Sequence, residues 1–215
     1  TLGEPEKALG LIKARKFHQW EGGEGKVAAQ YLTALYQLAK AAVEKEDYAE
    51  AKELLLRAVG EYPHNLGEGK LESGQENNLY YLLGLVQEKL GEAKDAFESL
   101  TRACCGESEP VGMMYYNDQP PEMIYYQGLA YRMLGEEEQA VRRFQKLVDY
   151  GREHIRDDVK IDYFAVSLPD LLIFEENLNE RNRKHCLFMM SLGLKGLGRI
   201  DEAEKCAEEL LAMDN

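Results

Sequence analysis

The sequence predicts an all-α protein, a solenoid built from helical hairpins. Apolar residues recur at helical spacing through most of the chain, and this periodicity is typical of amphipathic helices. An alanine also recurs at the place where the two helices of a hairpin have to cross, at Ala8, Ala51, Ala96, Ala140 and Ala203. The spacings between these alanines are 43, 45, 44 and 63 residues. The nearly constant period over the first four alanines indicates stacked repeats rather than one globular core.

The clearest repeat covers residues 77–105. Gly84 and Gly91 stand seven residues apart, and Gly91 predicts a tight turn that ends one helix before the next begins. Small residues are expected where the two helices cross. Bulky residues are expected to fill the space between the helices, and they are Tyr80, Leu83, Phe97 and Leu100.

The chain begins with half a repeat, residues 3–17. Gly3 aligns with the turn glycine and Ala8 with the crossing alanine, so this segment reads as a second helix without its first. Helices in repeat arrays bury their faces on neighbours, and we expect the native chain to continue upstream. The next repeat is residues 27–63, with helices predicted at 27–45 and 48–62. Pro63 cannot continue the second helix and ends the unit.

Two more repeats follow the central one, at residues 121–151 and 184–215. The first carries Gly128, Tyr131, Ala140 and Phe144 at repeat positions, and the second carries Gly198 at its turn. Between them lies an insert, residues 152–182, in which one additional short helix is expected. The sequence thus predicts a single domain over 1–215, with four full repeats and a half-repeat, excised from a longer chain.

The glycines, alanines and aromatic residues at these positions resemble the tetratricopeptide repeat, whose pattern has Gly and Tyr in the first helix and A-x3-F in the second. Gly128, Tyr131, Ala140 and Phe144 carry the resemblance most completely. It implies a right-handed α-α solenoid. The family's period is about 34 residues, so each junction here carries about ten extra residues.

In this family the first helices line a concave face, and the resemblance implies partner-binding residues on it. Equivalent positions hold four aromatic residues, Tyr36, Tyr81, Tyr125 and Phe188, with the polar residues Asn78, Lys89 and Arg132 around them. Aromatic side chains are typical anchors of interfaces. The alternative is that these rings pack on the neighbouring helix.

The long junction loops form a second candidate site. Their polar and aromatic residues include Trp20, Glu21, Asn65, Tyr116, Asn117 and Asp118, a composition suited to a sugar or a peptide. The loops and the segment 164–170 also resemble, less closely, the C-terminal helical tail of large bacterial multidomain proteins, some of them carbohydrate-related. The alternative is that the loops close one repeat against the next or contact another domain.

Composition excludes several classes of function. The formal net charge of −13 argues against non-specific binding to nucleic acid or to an anionic membrane, because both require concentrated Lys and Arg. No apolar run approaches the roughly 20 residues of a membrane span. The four cysteines show no metal-ligand spacing; they are expected to be structural thiols, which favours a reducing, cytoplasmic compartment.

Catalysis finds little support in the sequence. A carboxylate pair such as Glu21 and Asp118 could act on a glycoside, but nothing in the sequence places the two together. The four histidines form no nucleophile or metal pattern. We therefore expect no cofactor and no metal, and a non-catalytic module that binds a protein, a peptide or another domain of its own chain, with self-association possible. The alternative function is an accessory domain of a carbohydrate-processing protein.

Overall fold

The computed structural model describes residues 3–19, 23, 25–70, 75–112, 118–160 and 177–213. Over these residues the chain forms nine α-helices, a short 3-10 turn at His64–Leu66 and no β-strand. The helices are α1 (Pro5–Lys13), α2 (Lys26–Glu44), α3 (Tyr48–Val59), α4 (Asn77–Lys89), α5 (Ala93–Ala103), α6 (Pro121–Met133), α7 (Glu137–His154), α8 (Leu178–Gly196) and α9 (Ile200–Ala212). The predicted all-α class is confirmed.

The chain divides into two compact units. Unit 1, Thr1–Ala103, contains α1 and the hairpins α2–α3 and α4–α5, and unit 2, Cys104–Asn215, contains the hairpins α6–α7 and α8–α9. No described helix has both the length and the apolar content that crossing a bilayer requires.

The four hairpins turn in the same way. One residue in each turn has a left-handed backbone, namely Glu46, Gly91, Gly135 or Gly198, with φ of 61°, 77°, 81° and 74°. The residue after it donates its N–H to the carbonyl five residues earlier, at 2.9 Å in every hairpin (Asp47 to Ala42, Glu92 to Gln87, Glu136 to Tyr131, Arg199 to Leu194). This Schellman pattern pairs carbonyls that a helix end otherwise leaves without partners.

Close helix crossings hold each hairpin together, as predicted. A Cβ atom added to Gly84 would lie 2.7 Å from Leu100 Cγ, and one added to Gly128 would lie 2.4 Å from the Phe144 ring. Phe144 itself is completely buried. The crossing alanines of the four second helices, Ala51, Ala96, Ala140 and Ala203, are 5% exposed or less. Small residues at these positions let the backbones approach, and the large residue opposite fills the space between them.

Two differences from the sequence prediction concern the helices. Phe97 does not fill the gap between α4 and α5, because its side chain is 63% exposed. Its neighbours Ala96 and Leu100 form the buried stripe of α5, and Phe97 lies about 100° around the helix from Ala96.

The second difference is the start of α8, which begins at Leu178, six residues before the predicted start of the last repeat at residue 184. Asn177 caps it by accepting hydrogen bonds from the N–H groups of Asn179 and Glu180, and this capping favours an earlier start. The short helix expected within 152–182 falls largely on residues 161–176, outside the described residues.

Candidate functional site

The four predicted aromatic residues occupy one register. Tyr36, Tyr81, Tyr125 and Phe188 each stand ten residues before the left-handed turn residue of their hairpin. They lie on the first helices, α2 and α4 in unit 1 and α6 and α8 in unit 2. The three tyrosines are half-buried and Phe188 is exposed. We call this register the aromatic face.

In unit 1 the aromatic face is bordered by polar side chains. The Lys40 ammonium lies 5.4 Å from the centre of the Tyr36 ring, within the range of a cation–π interaction. Asn78 is half-buried in the first turn of α4, and Lys89 is exposed at its last residue. Tyr36 and Tyr81 both keep part of their surface exposed to solvent.

In unit 2 two of the predicted residues support the core. The Tyr125 ring packs 5.7 Å from Phe144, and burial raises the pKa of its hydroxyl. Arg132 is fully engaged: its guanidinium lies 5.0 Å from the Phe144 ring, binds both carboxylate oxygens of Glu137 and donates to the Gly196 carbonyl at 2.9 Å. Arg132 thus connects three helices, which makes it a structural residue.

Phe188 has a different environment. It is 36% exposed, although its neighbour Met189 is buried against Ile124 and Leu147. Leu192 lies one turn further along α8 on the same face and is half-buried. On α6, the half-buried Leu129 likewise lies one helical turn after Tyr125. Two adjacent helices therefore carry a partly exposed apolar strip.

The predicted loop site is covered only in part by the described residues. Trp20, Glu21, Tyr116 and Asn117 lie outside them, and Asp118 is half-buried just before α6. The remaining member, Asn65, has a structural role. Its side-chain amide donates to the carbonyls of Ile12 at 2.8 Å and Arg15 at 2.9 Å, and thereby caps the end of α1.

The same loop caps two further helices. The Glu68 carboxylate accepts hydrogen bonds from the N–H groups of Gly25 at 2.7 Å and Ala28 at 3.0 Å, at the start of α2. The Lys70 ammonium donates to the Val59 carbonyl at the end of α3 and lies 2.7 Å from Glu76. The tetrapeptide GEGK at residues 67–70 thus closes helix ends in unit 1, which favours the structural reading of this loop.

Equivalent capping occurs in unit 2, and the sequence reasoning missed it. The buried amide of Gln127 donates to the Cys105 and Glu107 carbonyls, and that of Asn182 donates to the His154 carbonyl at the end of α7. The sequence did contain a signal for these hydrogen bonds, namely polar residues on otherwise apolar helix faces. Buried amides are nearly always hydrogen-bonded.

Two of the four cysteine thiols are held in an unreactive, protonated state. Burial raises the pKa of the Cys104 thiol to about 12 and that of Cys186 to about 11, so both stay protonated and are poor nucleophiles. Cys105, expected like the other cysteines to be a structural thiol, is exposed. Burial lowers the pKa of His185, which contacts the Val111 carbonyl at 2.7 Å. The described residues contain no group of three His, Cys, Asp or Glu side chains that could hold a metal ion.

Comparison with known families decides the classification. One family profile described as tetratricopeptide repeat matches residues 36–110, and another of the same description matches residues 122–150. Residues 36–110 and 122–150 therefore carry tetratricopeptide repeats. The matched ranges contain three of the four full hairpins in part or in whole. Repeats of this family serve as scaffolds for protein interactions, so the fold supports that general role.

Two solved structures of the protein MamA are also similar to the chain. One has 19% sequence identity, covers 100% of this chain and 95% of MamA, and has a TM-score of 0.33. The other has 17% identity, covers 99% of this chain and 88% of MamA, and has the same TM-score. Because the sequence identities and TM-scores are this low, the similarity to MamA gives no information about the binding site or the partner of this chain.

Proposed function

We propose that this chain is a non-catalytic interaction module that binds a partner segment, or a neighbouring domain, through the aromatic face of its first helices. The observation that supports the proposal is the shared register: four aromatic residues stand at one repeat position while retaining solvent exposure. If these positions belonged to the core, their side chains would be fully buried. If they only faced solvent, aromatic residues would not be expected at all four of them. Aromatic side chains at partly exposed positions suit interface anchors because they offer a large contact area.

Unit 2 supplies the most accessible part of this face. Phe188 and Leu192 lie on α8, and Tyr125 and Leu129 lie on α6. Ile124 of α6 and Met189 of α8 belong to one buried cluster, against which Tyr125 and Leu192 pack. A partner segment could place an apolar side chain on this strip while its polar groups remain in water. The aromatic face of unit 1 offers Tyr36 and Tyr81 in the same register, with Lys40, Asn78 and Lys89 at its margins, a composition suited to a peptide with both apolar and polar groups.

The experiment places a photo-crosslinking phenylalanine analogue at residue 188 and, as a matched control, at residue 97. Both native residues are exposed phenylalanines, but Phe97 lies on a second helix outside the aromatic face. The protein is irradiated in its source cells, and the crosslinked peptides are mapped by mass spectrometry. The proposal expects a defined partner peptide from position 188 and none from position 97.

Substitution then measures the contribution of the face to affinity. We expect Phe188→Ala to weaken binding of the mapped peptide at least tenfold, and Tyr81→Ala to do so if unit 1 also takes part. Phe97→Ala is the control and should leave the affinity unchanged. Equal affinities for the Phe188→Ala and Phe97→Ala proteins, with circular dichroism showing both folded, would remove the aromatic face from the proposal.

The carbohydrate alternative is not carried forward, because no described feature favours it. Asn65 caps α1, and Glu68 and Lys70 cap neighbouring helices. The Asn65 amide nitrogen, the Glu68 carboxylate and the Lys70 ammonium are therefore already paired within the protein.

A further inference from the structure

Residues 105–112 form a segment without regular secondary structure, which we call the crossing segment. Buried amides of unit 2 hold its first half. Gln127 of α6 donates to the Cys105 carbonyl at 3.1 Å and to the Glu107 carbonyl at 2.8 Å, and Gln119 donates to the Glu107 carbonyl at 3.0 Å. Gln127 is completely buried and Gln119 is 4% exposed. Releasing this half would leave buried donors without partners, which is costly, so it is firmly anchored.

The second half of the crossing segment is held more loosely. Lys146 of α7 forms an ion pair with Glu109, whose side chain is 72% exposed, and pairs of this kind contribute little to stability. Residues 110–112 are each half-buried, and the Val111 carbonyl accepts a hydrogen bond from His185 Nε2 at 2.7 Å. Segments with few buried contacts open at a low free energy. The second half can therefore leave its position while the first half stays in place.

His185 borders the aromatic face of unit 2. It stands three residues before Phe188 on α8, and residues three apart lie on the same side of a helix. It also stands seven residues after Leu178, where α8 begins, so its bond to Val111 does not cap a helix end, unlike the bonds of Asn65. The crossing segment thus contacts α8 on the side where a partner segment is proposed to bind.

We propose that residues 109–112 are an internal ligand of the aromatic face in unit 2, and that a partner segment displaces them. A main-chain carbonyl of the partner then accepts the hydrogen bond of His185, and its apolar side chains contact Phe188 and Leu192. The inference rests on the proposed function, because it names the competitor of the partner at the same face. An internal competitor lowers the apparent affinity in proportion to the fraction of molecules in which the face is open.

The test uses the photo-crosslinking phenylalanine analogue at residue 188 and compares two products. One product joins residue 188 to residues 109–112 of the same molecule, and the other joins it to a partner peptide. In the purified protein we expect the internal product. In the source cells we expect both products, and mass spectrometry measures their ratio.

A substitution in the crossing segment then shifts this ratio. We expect Val111→Gly to lower the internal product and to raise the partner product about threefold or more, because glycine gives the open segment greater conformational freedom. Val159→Gly is the matched control. Val159 is also a half-buried valine outside the helices, and its N–H donates to Asn179 of α8 at 2.8 Å. Asn179 stands nine residues before Phe188, so this variant should leave both products unchanged.

Two results would overturn the inference. One is the absence of the internal product from the purified protein. The other is a partner product that stays unchanged or decreases in the Val111→Gly protein, because the segment would then be part of the binding surface and not its competitor. A different result contradicts the proposed function: no partner product from any variant in cells, although the internal product forms. The competition then fails with the proposed function, while the internal contact stands.

Discussion

Single residues at the hairpin turns set the local backbone, and Glu46 is the exception among them. Its φ of 61° lies in the region that glycine adopts at the other three turns. An L-residue with a side chain is destabilised there by about 1–2 kcal/mol. Glycine removes this strain but loses about 0.5–1 kcal/mol through the greater freedom of the unfolded chain.

We therefore expect Glu46→Gly to stabilise unit 1 by about 0.5–1 kcal/mol, measured by urea unfolding. Gly135→Ala is the reciprocal variant and should destabilise unit 2 by about 1 kcal/mol, since φ there is 81°. Destabilisation by Glu46→Gly would show that the glutamate side chain makes a contribution of its own.

His185 gives unit 2 a specific dependence on pH. Burial lowers its pKa, with a smaller contribution in the same direction from Arg181, while the Val111 carbonyl and Asp118 act in the opposite direction. The folded state therefore holds the neutral ring, and the unfolded state takes up a proton first as the pH falls. Stability is unaffected above the ordinary histidine pKa of about 6.5 and decreases below it.

We expect His185→Gln to reduce the loss of unfolding free energy between about pH 6.5 and pH 5. The glutamine amide can still donate to the Val111 carbonyl, and it does not titrate. Urea unfolding at several pH values measures the slope, and His64→Gln, at an exposed histidine, is the control. If the His185→Gln protein shows the same slope as the control, other groups determine the response to acid.

At the scale of helices, three of the four hairpins have one small and one large residue at their crossing. The pair is Ala39 with Leu55 in α2–α3, Gly84 with Leu100 in α4–α5 and Gly128 with Phe144 in α6–α7. All three large residues are buried. The first pair shows that an alanine is compatible with a leucine at this crossing, whereas a Cβ on Gly128 would lie 2.4 Å from the Phe144 ring.

We expect Gly128→Ala to destabilise unit 2 by about 1–3 kcal/mol, the usual cost of overpacking. Adding Phe144→Leu should recover part of this loss, because the double variant reproduces the alanine–leucine pair of the first hairpin. A double-mutant cycle by urea unfolding measures the coupling. Strict additivity of the two substitutions would contradict the assignment of Gly128 and Phe144 to one crossing.

Helix junctions are the second feature at this scale. The loop at residues 60–70 caps the end of α1 through Asn65, the start of α2 through Glu68 and the end of α3 through Lys70. In unit 2, Gln127 and Asn182 bind the carbonyls that follow α5 and end α7. The junction residues of unit 1 therefore supply hydrogen bonds that helix ends require, whereas in unit 2 two helix residues supply the donors.

At the scale of the whole molecule, the periodic residues predicted most of the fold. Turn glycines and crossing alanines are constrained by the backbone itself, so positions such as Gly91 and Ala140 indicate the helices directly. Phe97 was assigned wrongly because an aromatic residue near a buried stripe does not reveal on which side of it the ring lies. The contacts of Arg132 and Asn65 could not be predicted, since they join residues 64 and 53 positions apart.

The division into two units also predicts where the chain can be cut into fragments that still fold. A cluster of buried apolar residues from Leu9 to Val86 lies wholly within unit 1, and clusters around Leu147 and Leu194 lie within unit 2. Two hydrogen bonds beside the boundary each join residues of one unit. Asn77 binds the Ala103 carbonyl in unit 1, and Gln127 binds the Cys105 carbonyl in unit 2. A cut between residues 103 and 104 therefore separates neither core.

We expect fragments 1–103 and 104–215 each to be helical by circular dichroism and to unfold cooperatively in urea. The matched control is a cut after residue 91, which divides the hairpin α4–α5 and separates Gly84 from the buried Leu100 that it contacts. Fragment 1–91 should lose cooperativity, because α4 then exposes the face that α5 covers. Equally broad unfolding of fragments 1–103 and 1–91 would contradict the division, and the smallest folding unit would then be the whole array of repeats.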